Sequence, residues 1–252
     1  MIKPLLARLQ QKHRTIKYPK AEPVLPEKFC GRPVVDASKC TADCKLCINV
    51  CPVNAIQKKN SAITIDLGKC LFCSQCAQNC PSGAISFTRE YRLAARKRDD
   101  LILSDKENKL VRVLDEKAKS LFGRSLKLRQ VSAGGCNACE ADTNVLGTVV
   151  FDLGRFGIQF VASPRHADGI LVTGPVPENM RLALEKTYEA VPDPKIVIAV
   201  GACAISGGIY EGHTQVNNGA DRIIPVDLYI PGCPPHPMTI LDGLIRLLGK
   251  IE

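Results

Sequence analysis

The sequence predicts an α+β unit followed by an α/β unit, and three observations carry that expectation. Eight cysteines fall in two runs of four between residues 40 and 80, the second run copying the first. From Leu126 onward, short aliphatic segments alternate with helix-patterned ones, as in a parallel sheet covered on both faces. The charge also changes sign midway. Residues 1–125 hold 24 Lys and Arg against 12 Asp and Glu, whereas residues 126–252 hold 10 against 13. A chain of 252 residues is comfortable for two domains. Its 45% hydrophobic and 5% aromatic content implies mostly aliphatic cores. The expected division is a basic helix and extended arm over 1–33, a cysteine-rich domain over 34–95, a linker over 96–125 and the parallel-sheet domain over 126–252.

Taken in order, residues 1–14 place Ile2, Leu5, Leu6 and Leu9 on one side of a helix, with Lys3, Arg8, Lys12 and Arg14 largely elsewhere. That pattern suits a membrane surface or a partner, and equally a solvated terminal helix. The stretch Tyr18–Pro33 holds four prolines and is expected to run extended. Strands are expected at Val34–Asp36, Ile56–Gln57, Ile63–Asp66 and Ile85–Phe87. Residues 88–125 are charged and helical in pattern, with Arg92, Arg96, Lys97 and Arg98. Beyond them, strands are expected at Leu126–Val131, Gly157–Ala162, Gly169–Thr173, Lys195–Val200 and Val226–Ile230. Helices are expected at Asn137–Asp152, Glu178–Ala190 and Pro237–Lys250.

Thirteen cysteines need a chemistry. The count is odd, and Arg8, Lys12, His13 and Arg14 interrupt any secretory apolar core, so a reduced interior and metal ligation are expected rather than disulfides. The two runs are Cys40-x3-Cys44-x2-Cys47-x3-Cys51-Pro52 and Cys70-x2-Cys73-x2-Cys76-x3-Cys80-Pro81. From the second cysteine onward the copies are offset by 29 residues, and Cys40 recurs 30 later as Cys70, so one structural unit is used twice. Three closely spaced thiolates wrap one [4Fe-4S] cubane, and the fourth, past a tight reversal, serves the neighbouring one. Cys40, Cys44, Cys47 and Cys80 are therefore expected to hold one cluster, and Cys70, Cys73, Cys76 and Cys51 a second. This is a two-cluster ferredoxin pattern; zinc sites favour CxxC pairs separated by longer loops. The extra residue in Thr41-Ala42-Asp43 has two readings. It bulges the loop with the ligands kept, or it changes the site and leaves Cys40 or Cys44 off the iron. Cys30 has no motif partner and reads as a spare thiol.

The second half carries Cys136-x2-Cys139, then Cys203 and Cys233. Each follows an expected strand, at the carboxyl ends where open α/β sheets bind ligands. Gly134, Gly135, Gly201, Gly207, Gly208 and Gly232 crowd the same loops and would let backbone amides approach sulfur. A third [4Fe-4S] cluster is expected here, with zinc on the same four thiols as the alternative.

The segments GGCNACE (134–140), RFGIQFVASPRHAD (155–168), GACAISGGIY (201–210) and PVDLYIPGCPPHP (225–237) resemble the small cluster-bearing subunit shared by complex I and energy-converting [NiFe] hydrogenases. PEKFCGRP (26–33) and IDLGKCLFCSQC (65–76) resemble the two-cluster ferredoxin subunit of the same complexes. The resemblance implies a fusion of two neighbouring subunits, with a flavodoxin-like second half. It also implies a peripheral place at the cytoplasmic side of the membrane; no transmembrane segment is expected, because no apolar run approaches the roughly 18–20 residues needed to span a bilayer. The implied partners are a large hydrogenase or 49 kDa-type subunit, other electron-input and membrane subunits, and no nucleic acid. Cys136-x2-Cys139 followed by Glu140 resembles the formate hydrogenlyase and hydrogenase-4 branch, where the complex I subunit has adjacent cysteines.

Three residues near the ligands are candidates for proton-coupled roles. Glu140 directly follows a ligand, and its plainer reading is a carboxylate favoured at a helix start. Arg165 and His166 are expected near the strand tips, where a cation would favour the reduced cluster; a surface pairing with Asp168 is the alternative. The basic first half has no aromatic interleaving for nucleic acid, and ligated clusters would each add about two negative charges against it. A free soluble ferredoxin or a cluster-dependent scaffold is the rival of another class. The α/β half and the basic N-terminus weigh against both.

Overall fold

The computed structural model describes residues 2–41, 44–59, 62–104, 122 and 125–251. Ala42 and Asp43 of the lengthened loop, and 105–121 of the expected linker, lie outside those residues. Helix α1 (Ile2–Gln11) leads into the arm, and β1 (Pro33–Val35) opens the cluster region. In each copy of the repeat a four-residue helix carries the third cysteine: α2 (Leu46–Asn49) holds Cys47 and α3 (Gln75–Gln78) holds Cys76. Strands β2 (Ile56–Lys59) and β3 (Ala62–Asp66) pair antiparallel, with Ile56 opposite Ile65 and Lys58 opposite Ile63. Strand β4 (Ile85–Phe87) follows the second copy and returns to β1.

Residues 88–104 correct the helix-like pattern expected of them. They run mostly extended, with a 3-10 turn at Arg98–Leu101 and strand β5 (Ile102–Leu103) joining the edge of β3. Hydrogen bonding and burial decide this segment: Leu93, Ala94, Ala95, Leu101 and Leu103 are all buried. The cluster region's sheet therefore takes in residues past the boundary expected at 95.

The second half is a five-stranded parallel sheet of β6 (Leu126–Ser132), β7 (Ile158–Phe160), β8 (Gly169–Thr173), β9 (Ile196–Val200) and β10 (Leu228–Ile230). Their spatial order, β7-β6-β8-β9-β10, is the doubly wound order of flavodoxin-like folds. Every residue of β8 and β9 is buried, as strands covered on both faces require. Helices α4 (Ala138–Val145), α5 (Glu178–Ala190), α6 (Ala202–Ser206) and α7 (Pro237–Leu247) complete the unit. Helix α4 stops well short of the Asp152 end expected for it. Thr143 returns its hydroxyl to Cys139 O, and turns through Gly147 and Thr148 reverse the chain.

The two halves share one apolar cluster. Ile56, Ile63, Ile65, Leu67, Leu101 and Leu103 pack with Ala199, Ala204, Ile205 and Tyr229. Ala95 exchanges both backbone hydrogen bonds with Tyr229, which covers the open edge of β10. The Ser206 hydroxyl donates to Gly68 O at 3.0 Å, and Lys69 pairs with Glu211 at 2.5 Å. These contacts join the loop before Cys70 to the helix end and loop that follow Cys203.

Candidate iron–sulfur centres

The repeat brings its thiols together in crossed sets. Burial pushes the Cys47 thiol up, and charge on Cys40, Cys44 and Cys80 adds to it. Burial likewise lifts Cys70 to about 12, with charge on Cys76, Cys51 and Cys73 contributing. Cys76 rises to about 11, again first through burial and then through Cys51, Cys73 and the more distant Cys47. The fourth cysteine of each run thus faces the other run's trio. A small cavity lies among Cys51, Cys70, Cys73 and Cys76, walled by Val53, Ile56, Ile65 and Phe87 among others.

The loops are shaped for bound sulfur. Backbone N–H groups of Ala55, Phe72 and Ala84 donate to the Sγ atoms of Cys51, Cys70 and Cys80 at 3.3, 3.3 and 3.2 Å. Burial works upward on Cys80, but hydrogen bonds from Ser82, Ala84 and Ile85 prevail and leave its thiol lowered. At the first site, the Lys58 ammonium lies 3.4 Å from Cys40 Sγ, 2.7 Å from Thr41 O and 3.2 Å from Cys44 O.

The third set gathers at the carboxyl edge of the parallel sheet. Cys136 and Cys139 follow β6, Cys203 follows β9 and Cys233 follows β10. Cys139 is raised by burial and then by charge on Cys203, Glu140, Cys233 and Cys136. Cys203 is pushed up to about 11 by burial, with Cys233, Cys136 and Glu140 contributing. Cys233 is raised by burial and by charge on Cys136 and Cys73, so the second and third sets are neighbours. Of the glycines expected to crowd sulfur, two do so directly. A Cβ on Gly201, at φ +91°, would stand 2.5 Å from Cys139 Sγ, and one on Gly208 would stand 2.8 Å from Cys203 Sγ. Cys136 and Cys233 are exposed.

Thiolates so placed repel one another, and iron neutralises that repulsion while displacing their protons. Among the described residues, no group of three or more His, Cys, Asp or Glu side chains is drawn close enough to hold a single ion. The thiols converge more loosely, as the spread-out irons of a cluster, rather than a single ion, would require. With N–H donors aimed at sulfur, this donor set fits [4Fe-4S] clusters.

Glu140 is buried, and its Oε1 accepts hydrogen bonds from Ser132 Oγ and Thr173 Oγ1, both at 2.6 Å. Burial pulls the carboxyl up, yet those two hydroxyls and its own backbone N–H outweigh it and hold it low. Ser132 and Thr173, at the tips of β6 and β8, were invisible in the sequence as carboxylate partners, because strand-end hydroxyls are common. Arg165 and His166 are not beside the thiols. β7 ends at Phe160, level with Leu128, so the following loop never reaches the carboxyl edge. Asp168 accepts from Lys127 N–H at 2.7 Å near the start of β6, which keeps the loop at the opposite end of the sheet, with Arg165 and His166 exposed. Cys30 donates weakly to Lys28 O at 3.7 Å.

Comparison with known proteins agrees with this architecture. The family described as NADH ubiquinone oxidoreductase, 20 Kd subunit, matches residues 136–247, and the 4Fe-4S dicluster domain matches residues 39–85. The probable membrane-bound hydrogenase subunit mbhJ of Pyrococcus furiosus is 46% identical over 130 residues, 52% of this chain and 78% of that protein. Formate hydrogenlyase subunit 7 of Escherichia coli is 47% identical over 129 residues, 51% of each chain, so only about half of that relative is spanned. An NADH-quinone oxidoreductase subunit of Bacteroides thetaiotaomicron is 36% identical over 180 residues, 67% of this chain and 90% of that one. The chain belongs to the family of the 20 Kd subunit of NADH ubiquinone oxidoreductase, as a complex I-related, iron–sulfur electron-transfer subunit that carries a 4Fe-4S dicluster domain on the same polypeptide.

Proposed function

We propose that this chain is the electron-relay subunit of a membrane-bound, complex I-related [NiFe] hydrogenase of the formate hydrogenlyase or hydrogenase-4 type. Cys40, Cys44, Cys47 and Cys80 would hold the first [4Fe-4S] cluster, Cys70, Cys73, Cys76 and Cys51 the second, and Cys136, Cys139, Cys203 and Cys233 the third. Bound clusters supply one-electron storage and transfer. The observation that carries the reading is the serial arrangement of the three thiol sets. Cys47 and Cys76 share one apolar cluster with Ala204 and Ile205, which lie on the helix that carries Cys203, so the first two sets adjoin each other and the third. The shared core of the two halves holds that spacing.

The third set ends the series at exposed Cys136 and Cys233. The loops around Gly134–Glu140 and Gly232–His236 would form the face that meets the large catalytic subunit. Glu140, fixed by the Ser132 and Thr173 hydroxyls, would be this chain's acidic group on a proton path beside that face. Further electron-input and membrane subunits complete the complex, and the chain sits peripherally on the cytoplasmic face. No helix among the described residues is long and apolar enough to cross a membrane.

The second reading is the equivalent subunit of a quinone-reducing complex, favoured by the 180-residue likeness to the NADH-quinone oxidoreductase relative. The Cys136-x2-Cys139 spacing favours the hydrogenase. In the assembled complex, Cys139→Ser should abolish hydrogen evolution while the other two clusters remain reducible by an external donor. Parental hydrogen evolution in that variant would refute the third set as the exit. Quinone reduction without hydrogen evolution by the parent complex would decide for the second reading.

A further inference from the structure

The two copies of the repeat differ in one contact that their chemistry makes meaningful. Strand β2 runs Ile56-Gln57-Lys58, and its counterpart 29 residues later runs Ile85-Ser86-Phe87. The first two positions match in burial, with Ile56 and Ile85 buried and Gln57 and Ser86 exposed. The third position turns inward with the first. In the second copy Phe87 fills it, lies edge-on to Phe72 at 6.5 Å and walls the cavity among Cys51, Cys70, Cys73 and Cys76. In the first copy a lysine fills it, opposite buried Ile63.

An inward lysine opposite an isoleucine breaks the alternation of the hairpin, and such local exceptions point to function. The ammonium has three donors, and three acceptors meet it: Cys40 Sγ, Thr41 O and Cys44 O. Those acceptors lie at the two ends of the loop that is one residue longer than its counterpart Cys70–Cys73. The extra residue and the lysine therefore occur together on one site and are both missing from the other.

We infer that Lys58 is a positioning residue for the first cluster. It clamps the lengthened loop so that Cys40 and Cys44 both remain ligands, and its charge raises that cluster's midpoint potential above the second cluster's. The inference rests on the first cluster set proposed above. Reduction there adds one electron, hence one negative charge, with no bond made or broken. A fixed ammonium stabilises the added charge, whereas the Phe87 wall of the second site offers none.

The test uses the full chain purified anaerobically, with redox titration followed by paramagnetic resonance. The first cluster's signal is identified as the one lost in Cys80→Ser. Lys58→Met is expected to move that midpoint to a lower potential and leave the other two in place. Lys58→Arg should keep it close to the parent's, since charge and donors survive. Lys58→Met should also release iron faster from this one site under a chelator, and Lys58→Arg should not. If Met prevents folding, Lys58→Gln carries the same test, because it donates hydrogen bonds without charge and must lower the same midpoint. A fully loaded neutral variant with an unshifted first midpoint overturns the inference. A parent protein with no cluster on Cys40, Cys44 and Cys47 overturns the reading beneath it instead.

Discussion

Cys80 belongs to the second copy of the repeat, yet its charge bears on Cys47 in the first, and Cys51 does the reverse at Cys70 and Cys76. Cys80→Ser should therefore extinguish the resonance of the cluster on Cys40, Cys44 and Cys47 and spare the one on Cys70, Cys73 and Cys76. Loss of the latter would mean that each run closes on itself. Gly201 offers a second test at this scale. Its φ of +91° and ψ of 155° lie where a side chain is strained by about 1–3 kcal/mol, and a methyl would meet Cys139 Sγ at 2.5 Å. Gly201→Ala should lose the third cluster, lowering bound iron by about a third, while circular dichroism of the helices stays near the parent's. Full iron content would show that Cys139 has room to move.

Among the elements, the N-terminal arm is tied down residue by residue. Thr15 Oγ1 donates to Val149 O at 2.8 Å, and Ile16 N–H to Val150 O at 2.9 Å. Arg155 reaches Ile16 O and Tyr18 O, both at 2.9 Å, and the Tyr18 hydroxyl donates to buried Asp242 at 2.6 Å. Tyr18→Phe removes the last of these and should cost about 1–3 kcal/mol. It should be read as a lower melting temperature together with earlier proteolysis between residues 12 and 20; an unchanged melting temperature would place the arm's hold elsewhere. Helix α1, by contrast, has no buried residue. Such long-range ties were not legible in the sequence, which showed only prolines over Tyr18–Pro33. Legibility was high where one local rule dominated. Ile85–Phe87, Gly169–Thr173 and Glu178–Ala190 form as expected, because alternation or helical period met no competitor. It failed where register decided. The early end of β7 sets Arg165 and His166 at the wrong end of the sheet for redox work, and nothing in SPRHAD reveals where the preceding strand stops. Lys58 left a trace, the inward place in Ile-Gln-Lys, visible once the repeat is aligned on itself.

For the whole molecule, the two halves should respond differently to loss of iron. The cluster region rests on helices of four residues, too short to persist unaided, and its thiols are part of its core. The α/β half has a buried five-stranded sheet that needs no metal to close. Chelation should therefore leave slow amide exchange in β6, β8 and β9 and release it between residues 40 and 80. Uniform loss of protection would show that the shared core makes the halves one cooperative unit. The covered parallel sheet and the cysteine-rich region were both readable from alternation and spacing, whereas the flavodoxin-like fold was what the family resemblance implied. The packing of Ile56 and Leu103 against Ala199 and Tyr229 was not, since it depends on two units meeting in space. The account stands on three cubanes in one chain, and anaerobic purification followed by iron and acid-labile sulfide analysis tests that claim most directly. It predicts about twelve of each per chain, from three sites of four thiols; about eight, or stable zinc with no labile sulfide, would contradict it.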